Sequence, residues 1–187
     1  MSKKISSSVV EIPEPKLSVL IFADTRIAIV WLLFRLYVGY QWVLAGFEKI
    51  QSPTWVGPKA GVALQGFLTG ALAKSNGAHP DVQSWYATFL QGFVVHNAVL
   101  FSYVISYGEL LVGIALILGI FTGIAAFFGA YMNMNYLLAG TVSTNPILFM
   151  LELLLILAWR VAGWWGIDRF LLPLLGTPWN PGKLFKK

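Results

Sequence analysis

Four long apolar stretches run through this chain of 187 residues and restrict what it can fold into. They cover residues 27–47, 99–119, about 125–141 and about 147–166. Roughly 20 apolar residues cross the hydrocarbon core of a bilayer as a helix, so each stretch except the short third one is long enough. The pattern predicts an all-α integral membrane protein built as a bundle of four transmembrane helices.

Composition supports a membrane protein and limits the chemistry. Hydrophobic residues make up 57% of the chain and charged residues only 11%, whereas about 25% of a soluble domain is charged. Cysteine is absent, and His79 and His96 are the only histidines. The chain therefore has no thiolate ligand, and two histidines are too few for a typical zinc site. Redox chemistry would therefore need a bound organic cofactor or a partner subunit.

The distribution of basic residues predicts the orientation. Nine of the thirteen Lys and Arg lie before the first apolar stretch or after the last connection: Lys3, Lys4, Lys16, Arg26, Arg160, Arg169, Lys183, Lys186 and Lys187. Because Lys and Arg are retained on the cytoplasmic side, both termini are expected in the cytoplasm and the protein in the cytoplasmic membrane. The same distribution suits anionic lipid, not nucleic acid.

Three segments follow from these assignments. Residues 1–26 form a cytoplasmic N-terminal segment, residues 27–166 the membrane domain, and residues 167–187 a cytoplasmic interfacial tail. Within the membrane domain, residues 48–98 form an extracytoplasmic loop that is too long to be a plain connector.

Apolar residues at helical spacing predict two short amphipathic helices in this loop, lying on the outer face of the membrane. The first would use the face of Leu64, Phe67 and Leu68, and the second the face of Trp85, Phe89 and Phe93. The loop could shield the ends of the spans or form a substrate vestibule, and the sequence leaves both readings open.

Polar residues in three of the spans fall at nearly the same predicted depth. Counting about 1.5 Å per helical residue places Arg35, Glu109, Asn133 and Asn135 roughly 12–15 Å below a membrane surface. An isolated charge at that depth costs from about 3 to more than 10 kcal/mol. We therefore expect an ion pair between Arg35 and Glu109, with Asn133 or Asn135 hydrogen-bonded to it.

A second polar layer is expected nearer the outer surface. Glu152 and Gln41 fall at similar depth, with Lys49 and the turn containing Asn145 just above them. These groups could receive a polar ligand from outside. Alternatively, Glu152 could simply be hydrogen-bonded to Gln41 or Tyr103.

Three segments carry a family resemblance: RLYVGYQWVLAGFEKI (35–50), GELLVGIALILGIFTGIAAFFGAYMNMNYLLAGTVSTNP (108–146) and LAWRVAGWWGIDRFLLP (157–173). Together they resemble the DoxX family, and within it the DoxD-like branch, the large membrane subunit of thiosulfate:quinone oxidoreductase. The resemblance extends to Arg35, Lys49, Glu109, Asn133, Asn135 and Asp168. It implies a four-helix membrane bundle that passes electrons from thiosulfate to membrane quinone, yielding tetrathionate, together with a small second subunit.

Combined with that resemblance, the polar layers give candidate roles. The candidates for catalysis are Glu109, Arg35, Asn133 and Asn135; for substrate binding, Lys49, Glu152, Asn145 and Gln41; for stacking on a quinone, Trp31, Trp42 and Tyr107. Glu109 would take one proton of the quinone–quinol couple, or would serve only as a structural partner of Arg35.

A second function stays open alongside the oxidoreductase. The chain could be a non-enzymatic membrane anchor or assembly factor that holds soluble redox or stress enzymes at the cytoplasmic face through residues 166–187. An alternating-access carrier is disfavoured, because four spans show no evident internal repeat. The expected partners are membrane lipid, quinone and a small second subunit; a homo-oligomer is compatible with the sequence, and no nucleic acid is expected.

Overall fold

The computed structural model describes residues 13–177 and 180–185. Its helices are α1 (Lys16–Ala23), α2 (Ala28–Gln51), α3 (Val62–Ala73), α4 (Ser84–Phe89), α5 (Ala98–Leu118), α6 (Thr122–Leu138), α7 (Asn145–Leu157), α8 (Trp159–Ala162) and α9 (Asp168–Leu175). A 3-10 turn precedes α2, and a π-turn and a 3-10 turn join α4 to α5. Two short antiparallel strands, β1 (Gly176–Thr177) and β2 (Asn180–Pro181), follow α9.

The longer helices α2, α5, α6 and α7 form the bundle. Helix α2 packs along α5 and α6 packs along α7, while α2 touches α7 only lightly. Glycines allow the closest approach: a Cβ on Gly46 would collide with the backbone of Leu110, and one on Gly113 with the backbone of Val43. The small residues therefore let α2 and α5 pack backbone to backbone, as is typical of membrane helices.

The bundle buries its charges and exposes its apolar side chains. Arg35, Glu109 and Glu152 are at most 1% exposed, whereas Leu33 and Phe47 on α2 are more than half exposed. Such an arrangement is unfavourable in water and favourable in lipid, where buried ionisable groups face the bundle interior. The surface is that of an all-α membrane protein.

Two helical stretches, Thr25–Gln51 and Ser84–Leu118, are long and apolar enough to cross a membrane. Helix α6 has 17 residues and α7 has 13, so they rise about 26 Å and 20 Å. Helix α7 ends at Leu157 and α8 resumes at Trp159. Of the four predicted spans, α2 and α5 are thus long enough as single helices. The number of spans stays a prediction.

The two loop helices form, and the second carries two neighbouring apolar faces. In α3, Leu64 and Leu68 are buried as expected. Around α4, the exposed side chains are Trp85, Phe89 and Phe93, and the face one residue further along the chain is buried instead, namely Tyr86, Leu90 and Val94. Both faces repeat every four residues. The buried face has the smaller side chains, and it joins the apolar cluster that contains Leu64 and Leu68 of α3.

The described ends of the chain lie together at one end of the bundle. Helix α1 packs against α8, and the indole of Trp31 donates to the Ile21 carbonyl over 2.8 Å. We call this the terminal end, and the opposite end, with α3, α4 and the α6–α7 turn, the loop end. Lys3, Lys4, Lys186 and Lys187 lie outside the described residues.

Candidate functional site

The expected ion pair between Arg35 and Glu109 is not formed. Arg35 lies at the terminal end and donates to the Trp165 carbonyl over 3.0 Å. Its other two nitrogens, Nε and Nη1, have no hydrogen-bond partner within the described residues. Gly46 of α2 lies against Leu110 of α5, and Arg35 precedes Gly46 by about 16 Å of helix. The prediction was wrong because it aligned the centres of two helices that pack with an offset.

Asp168, which entered only through the family resemblance, holds the start of α6. Its two carboxylate oxygens accept hydrogen bonds from the backbone N–H groups of Phe121, at 2.7 Å, and Thr122, at 2.8 Å. The first N–H groups of a helix lack partners inside the helix, and a carboxylate there also meets the positive end of the helix dipole. Asp168 is therefore a structural cap that fixes the terminal end of α6.

Glu109 instead belongs to a cluster near the loop end. Lys49, in the last turn of α2, donates from Nζ to Glu109 Oε2 over 2.7 Å. The hydroxyl of Tyr136 on α6 donates to Oε1 over 2.5 Å. The ammonium group of Lys49 also lies 5.2 Å from the ring centroid of Trp55. Three elements thus converge on one carboxylate, as expected, but through Lys49 and Tyr136.

Glu152 forms the second carboxylate centre, deeper in the bundle. Trp42 Nε1 donates to its Oε1 over 2.5 Å, and Asn133 Nδ2 donates to its Oε2 over 2.7 Å. Gly129 leaves the space for this contact, because a Cβ there would collide with the Glu152 carboxylate and the Trp42 indole. No ion pair of Glu152 occurs in the described part of the chain.

The expected partners of Glu152 were therefore wrong, as was one expected bond of Asn133. Tyr103 accepts from the backbone N–H of Gly57 at 3.2 Å instead of contacting Glu152. Gln41 makes no side-chain hydrogen bond to any residue that the structure describes. Asn133 joins Glu152 and not the predicted Arg35–Glu109 pair.

A cavity of about 340 Å³ joins these groups. Its polar wall includes Lys49, Glu109, Asn133 and Tyr136. Asn133 Oδ1 is buried and lacks a hydrogen-bond partner among the described residues. An unpartnered buried carbonyl is unfavourable in a low-dielectric interior. The site thus holds one buried acceptor, Asn133 Oδ1, that the described residues leave without a donor.

Aromatic and small polar residues complete the cavity. Trp42, Trp55 and Phe67 supply ring faces and edges. Trp42 and Tyr136 lie 6.4 Å apart between ring centroids. The α6–α7 turn contributes polar residues at the loop end, namely Thr141, Ser143, Thr144 and Asn145. The predicted substrate-binding residues Lys49, Gln41 and Asn145 line this one cavity, with Glu152 directly behind it.

Three other predicted site residues lie elsewhere. Asn135 donates to the Tyr131 carbonyl over 2.7 Å, and its side-chain oxygen accepts from Tyr86 over 3.0 Å. Trp31 lies at the terminal end, bonded to Ile21. Tyr107 is 45% exposed on the outer surface of α5 and stacks on Tyr103. None of the three lines the cavity.

The sequence reasoning missed Tyr136, Trp55 and Phe67. Tyr136 follows Asn133 by three residues, so both side chains lie on the same face of α6. That spacing was a usable signal for Tyr136. Trp55 and Phe67 come from the loop 48–98, whose fold back over the bundle could not be read from local spacing.

The family comparison falls on these same elements. The DoxX family matches residues 30–140, which span α2 through α6 and contain Lys49, Glu109, Asn133 and Tyr136. This chain belongs to the DoxX family. As a DoxX membrane protein it carries Glu152 and Asp168 beyond the matched range. Searches of curated proteins and of solved structures gave no match.

Proposed function

We propose that this DoxX protein is the membrane subunit of a thiosulfate:quinone-type oxidoreductase, and that its cavity binds the quinone ring. The observation that carries the proposal is the Glu109 carboxylate, hydrogen-bonded to Lys49 and Tyr136 at the wall of an aromatic cavity. The cavity volume falls within the range of about 300–1,000 Å³ typical of small-molecule sites.

A quinone matches the chemistry of these groups. Its carbonyl oxygens accept hydrogen bonds, and the Lys49 ammonium group at the cavity wall keeps N–H donors beyond the one given to Glu109. Its flat ring packs against aromatic side chains such as Trp42 and Trp55. Reduction of a quinone to a quinol consumes two electrons and two protons. Glu109, Lys49 and Tyr136 are titratable groups in one hydrogen-bonded chain. We assign to the Glu109 carboxylate the relay of one of those protons: it first takes a proton from water at the cavity opening and then gives it to the reduced quinone oxygen.

Thiosulfate fits the cavity less well than quinone. The site holds the carboxyl group of Glu109 at the wall, that of Glu152 behind it and one ammonium group, so it offers no surplus of positive charge to a dianion. We therefore place thiosulfate oxidation outside the cavity, on a second subunit. There, two thiosulfates would join through a new sulfur–sulfur bond to give tetrathionate and release the two electrons that the quinone accepts.

For orientation, we propose four spans with both termini in the cytoplasm. The terminal end carries Arg160, Arg169 and Lys183, and the guanidinium of Arg169 lies 4.8 Å from the Trp164 ring. An excess of Lys and Arg is typical of the cytoplasmic side, and Trp is typical of either membrane interface. The cavity would then lie toward the extracytoplasmic half of the membrane, close to the loop end.

The proposal is tested by turnover in lipid nanodiscs. The purified protein, with any subunit that copurifies, is given thiosulfate and a short-tailed benzoquinone, and quinone absorbance is followed. We expect quinone reduction that Lys49→Met abolishes and Lys59→Met leaves within about twofold. Lys59 is the matched control because it is exposed in the loop and does not line the cavity. Equal rates in the two variants would refute the assigned site.

The same preparation tests the second candidate, a membrane anchor for soluble redox or stress enzymes. The observation in its favour is that α8, α9 and the β1–β2 hairpin lie outside the family match and carry basic residues at one end of the bundle. An anchor would give no quinone reduction and would retain a soluble enzyme whose binding is lost on deletion of residues 176–187, a truncation that keeps the Asp168 cap.

A further inference from the structure

We infer that the quinone enters the cavity sideways from the bilayer, between α2 and α7, and that its tail remains in that seam. The inference rests on the proposed function, because it concerns how the same cavity receives a lipid-soluble ligand. The occupant of the seam is an isoprenoid or alkyl tail attached to the ring.

The packing of the bundle leaves one seam loose. Helix α2 is held closely against α5, where Gly39 and Gly46 let the two backbones meet. Helices α6 and α7 are likewise closely packed, whereas α2 and α7 touch only lightly. Among the junctions of neighbouring bundle helices, the α2–α7 seam has the fewest contacts, and toward the terminal end it is held by the buried Trp42–Glu152 hydrogen bond and by α8.

The cavity reaches this seam. Its lining includes Gln41, Ala45 and Lys49, which repeat every four residues and so form one stripe on α2. All three are partly exposed. Across from this stripe, α7 supplies Asn145 and Leu148 to the same lining. The cavity thus lies between the two helices that pack least tightly.

Gln41 is the second, independent indication. It lies ten residues before the end of α2, about 15 Å from the loop end. Its side-chain amide is partly exposed and makes no hydrogen bond to the described residues. An unpartnered amide at this depth of a membrane helix is unfavourable. A polar ring passing or resting at the seam would supply its partner.

The test uses photolabelling of the wild-type protein in nanodiscs. The probe is a benzoquinone with a ten-carbon tail that ends in a diazirine, and a tail-less dimethoxybenzoquinone is the competitor. We expect competable label in residues 41–48 and 145–151. Label confined to residues 52–73 or 139–144 would show that the tail leaves at the loop end, and would overturn the lateral route while leaving the quinone site intact.

Two further outcomes separate this inference from the proposed function. If neither probe binds saturably and no competable label appears, both are overturned. A matched pair of variants gives an independent reading: Ala45→Trp should weaken binding of the tailed probe by about tenfold or more. Leu44→Trp should leave it within about twofold, because Leu44 is an exposed neighbour that does not line the cavity. Equal effects of the two substitutions would count against the seam.

Discussion

Lys49 and Glu109 form an ion pair of 2.7 Å that joins the last turn of α2 to the middle of α5. The Lys49 side chain is 21% exposed and that of Glu109 only 1%, so the pair connects the cavity opening to the bundle interior. The register of α2 against α5 places the two residues side by side, because Gly46 lies against Leu110. The same register keeps Arg35 away from this cluster.

Removing one member of this pair should destabilise the protein more than removing both charges. Lys49→Met leaves a buried carboxylate without its cation, which costs roughly 3 kcal/mol or more. The double variant Lys49→Met/Glu109→Gln removes both charges and should regain much of that loss. Reversible unfolding in mixed detergent micelles measures the coupling. As the control, the unfolding free-energy costs of Lys59→Met and Glu109→Gln should simply add. If the costs of Lys49→Met and Glu109→Gln also simply add, the pair contributes no coupling.

Gly129→Ala should disrupt the Glu152 centre. A new Cβ would collide with the Glu152 carboxylate and the Trp42 indole, and overpacking of this kind costs about 1–3 kcal/mol. Gly66→Ala is the matched control, since nothing lies within 4 Å of a Cβ at that position. We expect a lower unfolding free energy and a changed Trp fluorescence spectrum only in Gly129→Ala. A neutral Gly129→Ala would mean that the buried contact is not maintained in the membrane.

Asp168→Ala should fray the first turn of α6. It removes the acceptor of the Phe121 and Thr122 N–H groups, and loss of a helix cap costs about 1–2 kcal/mol. Hydrogen exchange of those two amides should accelerate, with a smaller change in Asp168→Asn, which keeps one acceptor oxygen. Unchanged protection in both variants would argue that the backbone alone holds this turn.

Arg35→Met should leave quinone binding unchanged. Arg35 lies about 16 Å along α2 from the level of Glu109 and contacts the Trp165 carbonyl at the terminal end. Quenching of Trp fluorescence by a tail-less quinone should give a dissociation constant within about twofold of wild type. Lys49→Met, in contrast, should weaken binding by about tenfold or more, since a charged hydrogen bond contributes about 1.5–3 kcal/mol. A large loss of quinone affinity in Arg35→Met would show that Arg35 belongs to the site.

Helix positions could be predicted from the sequence because burial in lipid follows local hydrophobicity. The predicted spans 27–47 and 99–119 differ from α2 and α5 by a few residues at most. These features depend on residues close together in the chain.

Partner choice among the buried polar groups could not be predicted in the same way. Arg35 and Lys49 are both cations on α2, and which of them meets Glu109 depends on the offset between α2 and α5. That offset is set by backbone contact at Gly46 and Leu110, a relation between distant residues. Likewise, Trp55 and Phe67 reach the cavity only because the loop 48–98 folds over the bundle. No local sequence pattern predicts that contact.

The quinone site itself is tested most directly by the infrared spectrum of a bound quinone. A benzoquinone labelled with ¹³C at its carbonyls is added to the protein in nanodiscs, and the carbonyl stretch is compared with that in lipid alone. We expect the band to shift to lower frequency in wild type and in Lys59→Met, because Lys49 donates to a carbonyl oxygen, and to return to the lipid value in Lys49→Met. A carbonyl band at the lipid frequency in all three proteins would contradict quinone binding at this cavity.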